Sequence, residues 1–232
     1  MLLRNGENRP VVFNHLTPPD IQELETESVD GKRYYKTPDG KLYPSVTTVV
    51  GSYTAKAIKE WRQRVGEEEA RKITTQASVR GTKVHQLCED YINNVPDYRE
   101  KHMPVNLACF DTIRPIIEQK IDNVVMQEVP LYSHYLEVGG RVDCIADWDG
   151  KLSVIDFKTA KRRKEKDKID NYFMQASAYC VMFEELTKTP INQIVILIAV
   201  DNDEPQIFIE KRDNYIHQFI KVRESYRDYH GK

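Results

Sequence analysis

Two aspartates and a lysine lie where a short β-hairpin would bring them onto one face. The chain reads Gly139-Gly140-Arg141-Val142-Asp143, then Asp149-Gly150, then Val154-Ile155-Asp156-Phe157-Lys158. Asp-Gly between two β-like runs predicts a type I′ turn, because both central residues of that turn need φ > 0. With Trp148 opposite Lys151, counting back along both strands sets Asp143 opposite Asp156, with Cβ atoms about 4.5–5.5 Å apart. Lys158, two residues further on, shares their face. Like charges placed opposite each other destabilise a sheet unless a cation sits between them. Two aspartates suit Mg²⁺ or Mn²⁺, which prefer oxygen donors and keep several waters. Such an ion can orient a phosphodiester, polarise its phosphoryl oxygen and lower the pKa of an attacking water. Lys158 would then position the water or stabilise the developing charge. The same residues also read as a surface hairpin whose solvated Asp–Lys pairs contribute under about 1 kcal/mol. The apolar bulk of Ile155 and Phe157 around Asp156 favours a site.

Two further segments carry polar side chains at helical spacing. Arg80-Gly81-Thr82-x-x-His85-x-x-x-Glu89 puts His85 and Glu89 on one helix face at i, i+4. Gln175 and Tyr179 repeat that spacing on an otherwise apolar helix. Either could equally be an ordinary packed or solvated helix face. Directly after Lys158, the run Lys161-Arg162-Arg163-Lys164-Glu165-Lys166-Asp167-Lys168 would place mobile positive charge at the mouth of a site, suited to phosphates, or form a solvated linker. Arg62, Arg64, Arg71, Lys72 and Arg80, with Tyr53 and Trp61, could line a basic, stacking-capable passage for a single strand.

The elements that must hold these residues are set by the periodicity. Arg33–Lys36 and Lys41–Tyr43 around Thr37-Pro38-Asp39-Gly40 predict a small hairpin, with Ser45 or Thr47 capping the next element. Residues 55–93 are helical in pattern, with breaks expected near Gly66 and Gly81, and 107–123 form a second stretch with a kink at Pro115. The period then changes: 124–135, 140–148 and 151–158 predict an antiparallel meander. Residues 171–186 return to helix. Ile194–Val200 is a continuous apolar run, expected as a strand covered on both faces. Pro205–Glu210 is expected as an edge strand and Arg212–Tyr229 as a terminal helix. This order gives an α/β layer fold with a mixed sheet.

Composition sets outer limits. At 232 residues the chain can bury a sizeable core. A net charge of −2 means that any nucleic acid must be met by local basic patches. Cys88, Cys109, Cys144 and Cys180 lack CxxC spacing and are expected as free buried thiols. The N-terminus lacks a signal-type apolar core and no stretch suits a membrane span, so an intracellular, reducing compartment and no membrane partner are expected.

Taken in order, Gly81-Thr82-Lys83-Val84-His85, Gly140-Arg141-Val142-Asp143, Asp156-Phe157-Lys158 and Gln175-x-x-x-Tyr179 resemble the RecB-like branch of the PD-(D/E)xK nuclease superfamily. In that branch a GT-x-x-H helix precedes a G-x-x-D strand, a D-x-K strand and a Q-x-x-x-Y helix. Tyr43-Pro44-Ser45-Val46-Thr47 and the Trp61 helix look further like the mitochondrial genome maintenance exonuclease group and its phage and bacterial relatives. The resemblance covers roughly residues 31 to 200. It implies a restriction-endonuclease-like core, with a mixed central sheet flanked by helices and a helical N-terminal part. The layout expected is a polar extension at 1–30 and a single nuclease domain at 31–232. That domain divides into a hairpin and helical part with the histidine motif (31–125), a sheet core with the aspartates and lysine (126–210) and a C-terminal helix (211–232).

Carried over residue by residue, the resemblance makes His85, Asp143 and Asp156 metal ligands, joined by the Phe157 carbonyl, and Lys158 the catalytic lysine. Glu128 becomes a second-metal or outer-shell carboxylate, and Glu89 a weaker candidate. Gln175, Tyr179 and Thr159 brace the site or touch the DNA backbone. Lys161, Arg162, Arg163, Lys164, Arg80, Trp61, Arg62, Ser45 and Thr47 are candidate DNA contacts. One or two Mg²⁺ or Mn²⁺ ions are implied. Some relatives add a cysteine-ligated iron–sulfur cluster; the cysteines here lack that arrangement, so none is expected. The implied activity is exonucleolytic, on single-stranded DNA or frayed ends, in replication, recombination or repair alongside other proteins of those processes. The implied setting is the cytoplasm of a bacterium or phage-infected host. A structure-selective or restriction-like endonuclease, and a non-catalytic DNA-binding module of the same fold, are the alternatives.

Overall fold

The structure, a computed structural model, describes residues 11–231; the first ten residues of the expected extension, including Pro10, lie outside the described residues. A three-stranded sheet of β1 (Glu25–Val29), β2 (Lys32–Lys36) and β3 (Leu42–Pro44) precedes two long helices, α1 (Val46–Val65) and α2 (Glu67–Ile92). Then come α3 (Pro104–Lys120), the meander β4 (Ile121–Ser133), β5 (Val138–Trp148) and β6 (Lys151–Ala160), helix α4 (Asp170–Thr187), β7 (Gln193–Val200), β8 (Gln206–Lys211) and α5 (Ile216–His230). The main sheet has the order β4-β5-β6-β7-β8, antiparallel except for the parallel β6–β7 pair. That pair is parallel because α4 carries the chain back across the sheet between the two strands.

Helices cover both faces of the sheet. Val46, Val49 and Val50 of α1, the buried side of α4 and Phe219 of α5 pack on one face with Ile145, Val154, Ile194 and Ile196. Val84, Leu87 and Cys88 of α2 and Phe110, Ile113 and Ile117 of α3 pack on the other with Cys144, Ile155, Val195 and Leu197. This double cover explains why β7 is apolar without alternation. The four cysteines are free and buried. Among the described residues, no helix is long and apolar enough to cross a membrane.

Several elements differ from expectation, each for a local reason. The later part of the polar extension expected at 1–30 is built into the fold: Glu25–Val29 forms β1 against β2, and Phe13 and Leu24 before it are buried. Helix α1 begins nine residues early, at Val46, because Ser45 caps it by accepting the Thr48 N–H at 3.0 Å and Val46, Val49 and Val50 are buried. The break falls at Gly66 (φ 89°) as expected, whereas α2 runs straight through Gly81, held by the packing of Val84, Leu87 and Cys88. Pro115, the expected kink position, lies inside α3. The Asp149-Gly150 turn has φ of 51° and 75°, the signs a type I′ turn requires.

Gly139 and Gly140 are set by close approach, not by φ. A Cβ on Gly139 would sit 2.5 Å from Tyr35 Cβ, where β2 crosses β5, and one on Gly140 would sit 2.8 Å from Tyr179 Cε1. The glycine of the Gly-x-x-Asp strand and the tyrosine of the Gln-x-x-x-Tyr helix therefore meet. Gly140→Ala should lower stability by about 1–3 kcal/mol through overpacking, read as a lower urea midpoint; an unchanged midpoint would mean that the Tyr179 ring has room to move.

Candidate active site

The β5–β6 ladder runs from Trp148↔Lys151 to Cys144↔Ile155, the register read from the turn. One step further the backbone pairing ends, and Asp143 replaces it with its side chain: Oδ2 accepts the Phe157 N–H at 2.9 Å. Asp156, beside it on β6, is 1% exposed. Gln175 of α4 donates Nε2 to Asp156 Oδ1 at 3.1 Å, and Lys158 Nζ lies 2.5 Å from Oδ2 as an ion pair. Tyr179 is buried against Gly140, so it braces the sheet from below the site. Gln175 and Tyr179 meet these partners because i, i+4 residues of α4 share the face turned to the sheet.

Helix α2 closes the site from the other side. His85 Nδ1 lies 3.5 Å from Asp143 Oδ2, and ligand atoms of His85, Glu128 and Asp143 all fall within 4.8 Å of one another. Gly81, Thr82, His85, Gln86 and Glu89 of α2, Arg33 of β2 and Glu128 of β4 line a hollow of about 460 Å³ that opens to solvent. Thr159 Oγ1 sits beside Gly81, 3.8 Å from where a Cβ would be. The α2 face at His85 and Glu89 thus overlies the end of the meander. Three residues of the site were not picked out from the sequence: Arg33, on a separate small sheet, Gln86, next to His85 on α2, and Tyr172, whose ring lies 5.2 Å from Lys158 Nζ. Tyr172 stands three residues before Gln175 on the same helix face, and that spacing was its available signal.

Charge crowding dominates the electrostatics. Burial and the neighbouring Asp143 and Glu89 push the Glu128 carboxyl up to about 7. Burial pushes Asp156 up to about 6 despite the opposing pull of Lys158. Lys158 loses to burial but gains more from Asp156 and Asp143, so its pKa is raised and the ammonium persists. Three carboxylates, one histidine and one lysine in this space leave a surplus of negative charge. Such an oxygen-rich set fits a hard divalent cation.

The candidate DNA contacts separate into spent and open residues. Ser45 is buried and occupied as the α1 cap, leaving Thr47 exposed. Arg80 is paired with Asp201, and Arg62 stands 3.5 Å from Glu67. Arg163 reaches Asp203 at 3.4 Å, Lys166 pairs with Glu210 and Lys168 with Glu165. Among the described residues, Lys161, Arg162 and the Lys164 side chain have no acidic partner. They follow the end of β6, three to six residues beyond Lys158. Trp61 is half-buried on α1.

A mixed sheet covered by helices, with two aspartates, a lysine and a histidine converging where two strands part, defines an α/β protein with a site able to hold a divalent ion. Residues 111–228 match the model of the PD-(D/E)XK nuclease superfamily, and the chain belongs to that superfamily. Nucleases of this superfamily use divalent metal ions, and the His85, Glu128 and Asp143 group offers a place for one. The chain is 28% identical over 133 residues to the mitochondrial genome maintenance exonuclease 1 of Homo sapiens, covering 53% of this chain and 38% of that protein. Its Xenopus tropicalis counterpart is 26% identical over 174 residues, covering 70% of this chain and 50% of that protein. The chain therefore spans half or less of the length of these relatives.

Because folding lifts the Glu128 pKa above its ordinary 4.5, the folded protein holds that proton longer than the unfolded chain does. In EDTA the stability contribution of Glu128 is thus largest at low pH, falls as pH rises, and levels off above about 7. Glu128→Gln should flatten this slope and raise Tm at pH 8 by roughly 2–4 °C for each kcal/mol of repulsion removed. A Tm–pH curve identical to wild type would remove Glu128 as its source.

Proposed function

We propose that the protein is a divalent-metal-dependent deoxyribonuclease that hydrolyses phosphodiester bonds by in-line attack of water, without a covalent intermediate. The observation that carries this reading is the buried Asp156–Lys158 pair set against Asp143, His85 and Glu128 at a solvent-open hollow. Pure binding has no need to crowd carboxylates where a phosphate must approach.

His85, Asp143 and Glu128, from three different elements, would hold the metal, with Asp156 alongside; the oxygen-rich donor set favours Mg²⁺ or Mn²⁺. A bound ion supplies Lewis acidity, which activates water and polarises the phosphoryl oxygen. Lys158 stays protonated, so its part is that of a cation stabilising charge that develops on the phosphoryl group, not that of a general base. Gln175 holds Asp156 in place, and Tyr172 stacks its ring near the Lys158 ammonium. Lys161, Arg162 and Lys164 supply charge for the substrate backbone beyond the reacting phosphate.

Within this reading the protein acts as an exonuclease on single-stranded DNA or frayed ends. The names of the relatives support the exonuclease part. Arg64, Arg71 and Lys72, exposed on α1 and α2 beside the half-buried Trp61, support a single strand lying along that helical pair.

Linear and circular single strands and duplex DNA, incubated with Mg²⁺, Mn²⁺ or EDTA, test the proposal. Linear single strands should be shortened in either metal and left intact in EDTA. Cutting of the closed circle would replace the exonuclease reading by an endonuclease one, and no cutting of any substrate would leave a binding module. Lys158→Ala should lower the rate about a hundredfold or more while oligonucleotide binding persists. Undiminished turnover would remove Lys158 from the chemistry.

A further inference from the structure

Glu128 reaches the site from a backbone conformation that a strand residue does not ordinarily adopt. Its flanking residues keep register with β5, Gln127 opposite Cys144 and Val129 opposite Val142, but the Glu128–Asp143 pair between them drops out of the ladder. Glu128 has φ of 49°, in the left-handed region, where a residue with a long side chain persists only if its surroundings impose it. Its carbonyl is turned out of the β4–β5 pairing and is taken up by Arg141 Nη1. The second arm of the same guanidinium bonds the Glu23 carboxylate, in the segment just before β1. Arg141 stands two residues before Asp143 on β5, so it shares Asp143's strand and contacts the backbone that carries Glu128. A planar fork with two fixed donors suits this task; an ammonium does not.

We propose that Arg141 is a positioning residue for the metal site: oriented by Glu23, its guanidinium clamps the Glu128 carbonyl, holds the left-handed kink, and so keeps the Glu128 carboxylate beside His85 and Asp143. The assignment rests on the reading of His85, Glu128 and Asp143 as metal ligands. It also gives a task to the Glu23 segment, which ties the N-terminal part to the centre, and to the arginine inside the Gly140–Asp143 strand.

The test is direct Mn²⁺ binding to the whole chain, followed by calorimetry or by the loss of the free-ion electron paramagnetic resonance signal, with Tm in EDTA measured in parallel. Arg141→Met should weaken Mn²⁺ binding about tenfold or more, with Arg141→Lys recovering only part of it. Glu128→Gln should weaken binding too, and Arg141→Met with Glu128→Gln together should be no weaker than Glu128→Gln alone, because Arg141 acts through Glu128. Glu23→Gln, at an exposed residue that tolerates change, should weaken binding about threefold, as loss of one exposed ion pair would. Mn²⁺ binding unchanged in Arg141→Met, or losses that add in the double variant, would overturn the role of Arg141 while leaving the metal site standing. If Arg141→Met fails to fold, unchanged binding in Glu23→Gln and in Arg141→Lys overturns it. A wild-type protein that takes up no Mn²⁺ would overturn the metal-site reading and this assignment with it.

Discussion

The hydrogen bond from the Phe157 N–H to Asp143 Oδ2 is the contact on which the candidate centre turns. Two strands that have been paired since the Asp149-Gly150 turn stop sharing backbone bonds at this point, and a side chain takes over the closure. The substitution does two things at once. It satisfies a buried amide that would otherwise cost about 1–3 kcal/mol, and it fixes one aspartate at the edge of a gap into which Asp156 also faces. Opening the ladder anywhere else would either leave orphaned amides or bury Asp143 in the sheet.

Holding that gap open takes most of the surrounding structure. Helix α4 lies under it, with Gln175 on Asp156, Tyr172 near Lys158 and Tyr179 against Gly140, so one helix face addresses both aspartate-bearing strands. Helix α2 covers it from above with His85 and Glu89. The crowding of Glu128, Asp143 and Asp156 is unfavourable by itself, as the raised Glu128 and Asp156 carboxyls indicate. The two apolar clusters on either face of the sheet must therefore offset it, and Val154, Ile155 and Phe157, which flank Asp156 along β6, belong to them. A site under this strain stands on rigid elements because a loop would relax and let the charges part.

Much of the architecture was legible because it is local. Alternation and the Asp-Gly turn gave the β5–β6 register; the unbroken run 194–200 gave the doubly covered strand; Gly66 gave the break between α1 and α2. The misreadings share one cause, the override of local preference by packing. Gly81 reads as a breaker, yet three neighbouring core side chains carry α2 through it. Residues 25–29 read as part of a polar extension, yet the exposed outer strand of a small sheet can be polar and still pair. The basic residues were visible, but not which carboxylate each had already taken; Arg80 and Asp201 are 121 positions apart.

By itself, then, the sequence determined the order of the elements in the main sheet, the turn, and the convergence of Asp143, Asp156 and Lys158, because those depend on a two-residue period and one φ-restricted turn. His85 and Glu128 are different. Only the tertiary structure decided that a helix some sixty residues upstream lies over the meander, that Glu128 adopts φ of 49°, and that Arg141 and Glu23 meet at its carbonyl. The physical reason is that no local pattern encodes such a kink. It is uphill for the strand that contains it, and it exists because contacts from distant segments outweigh that cost.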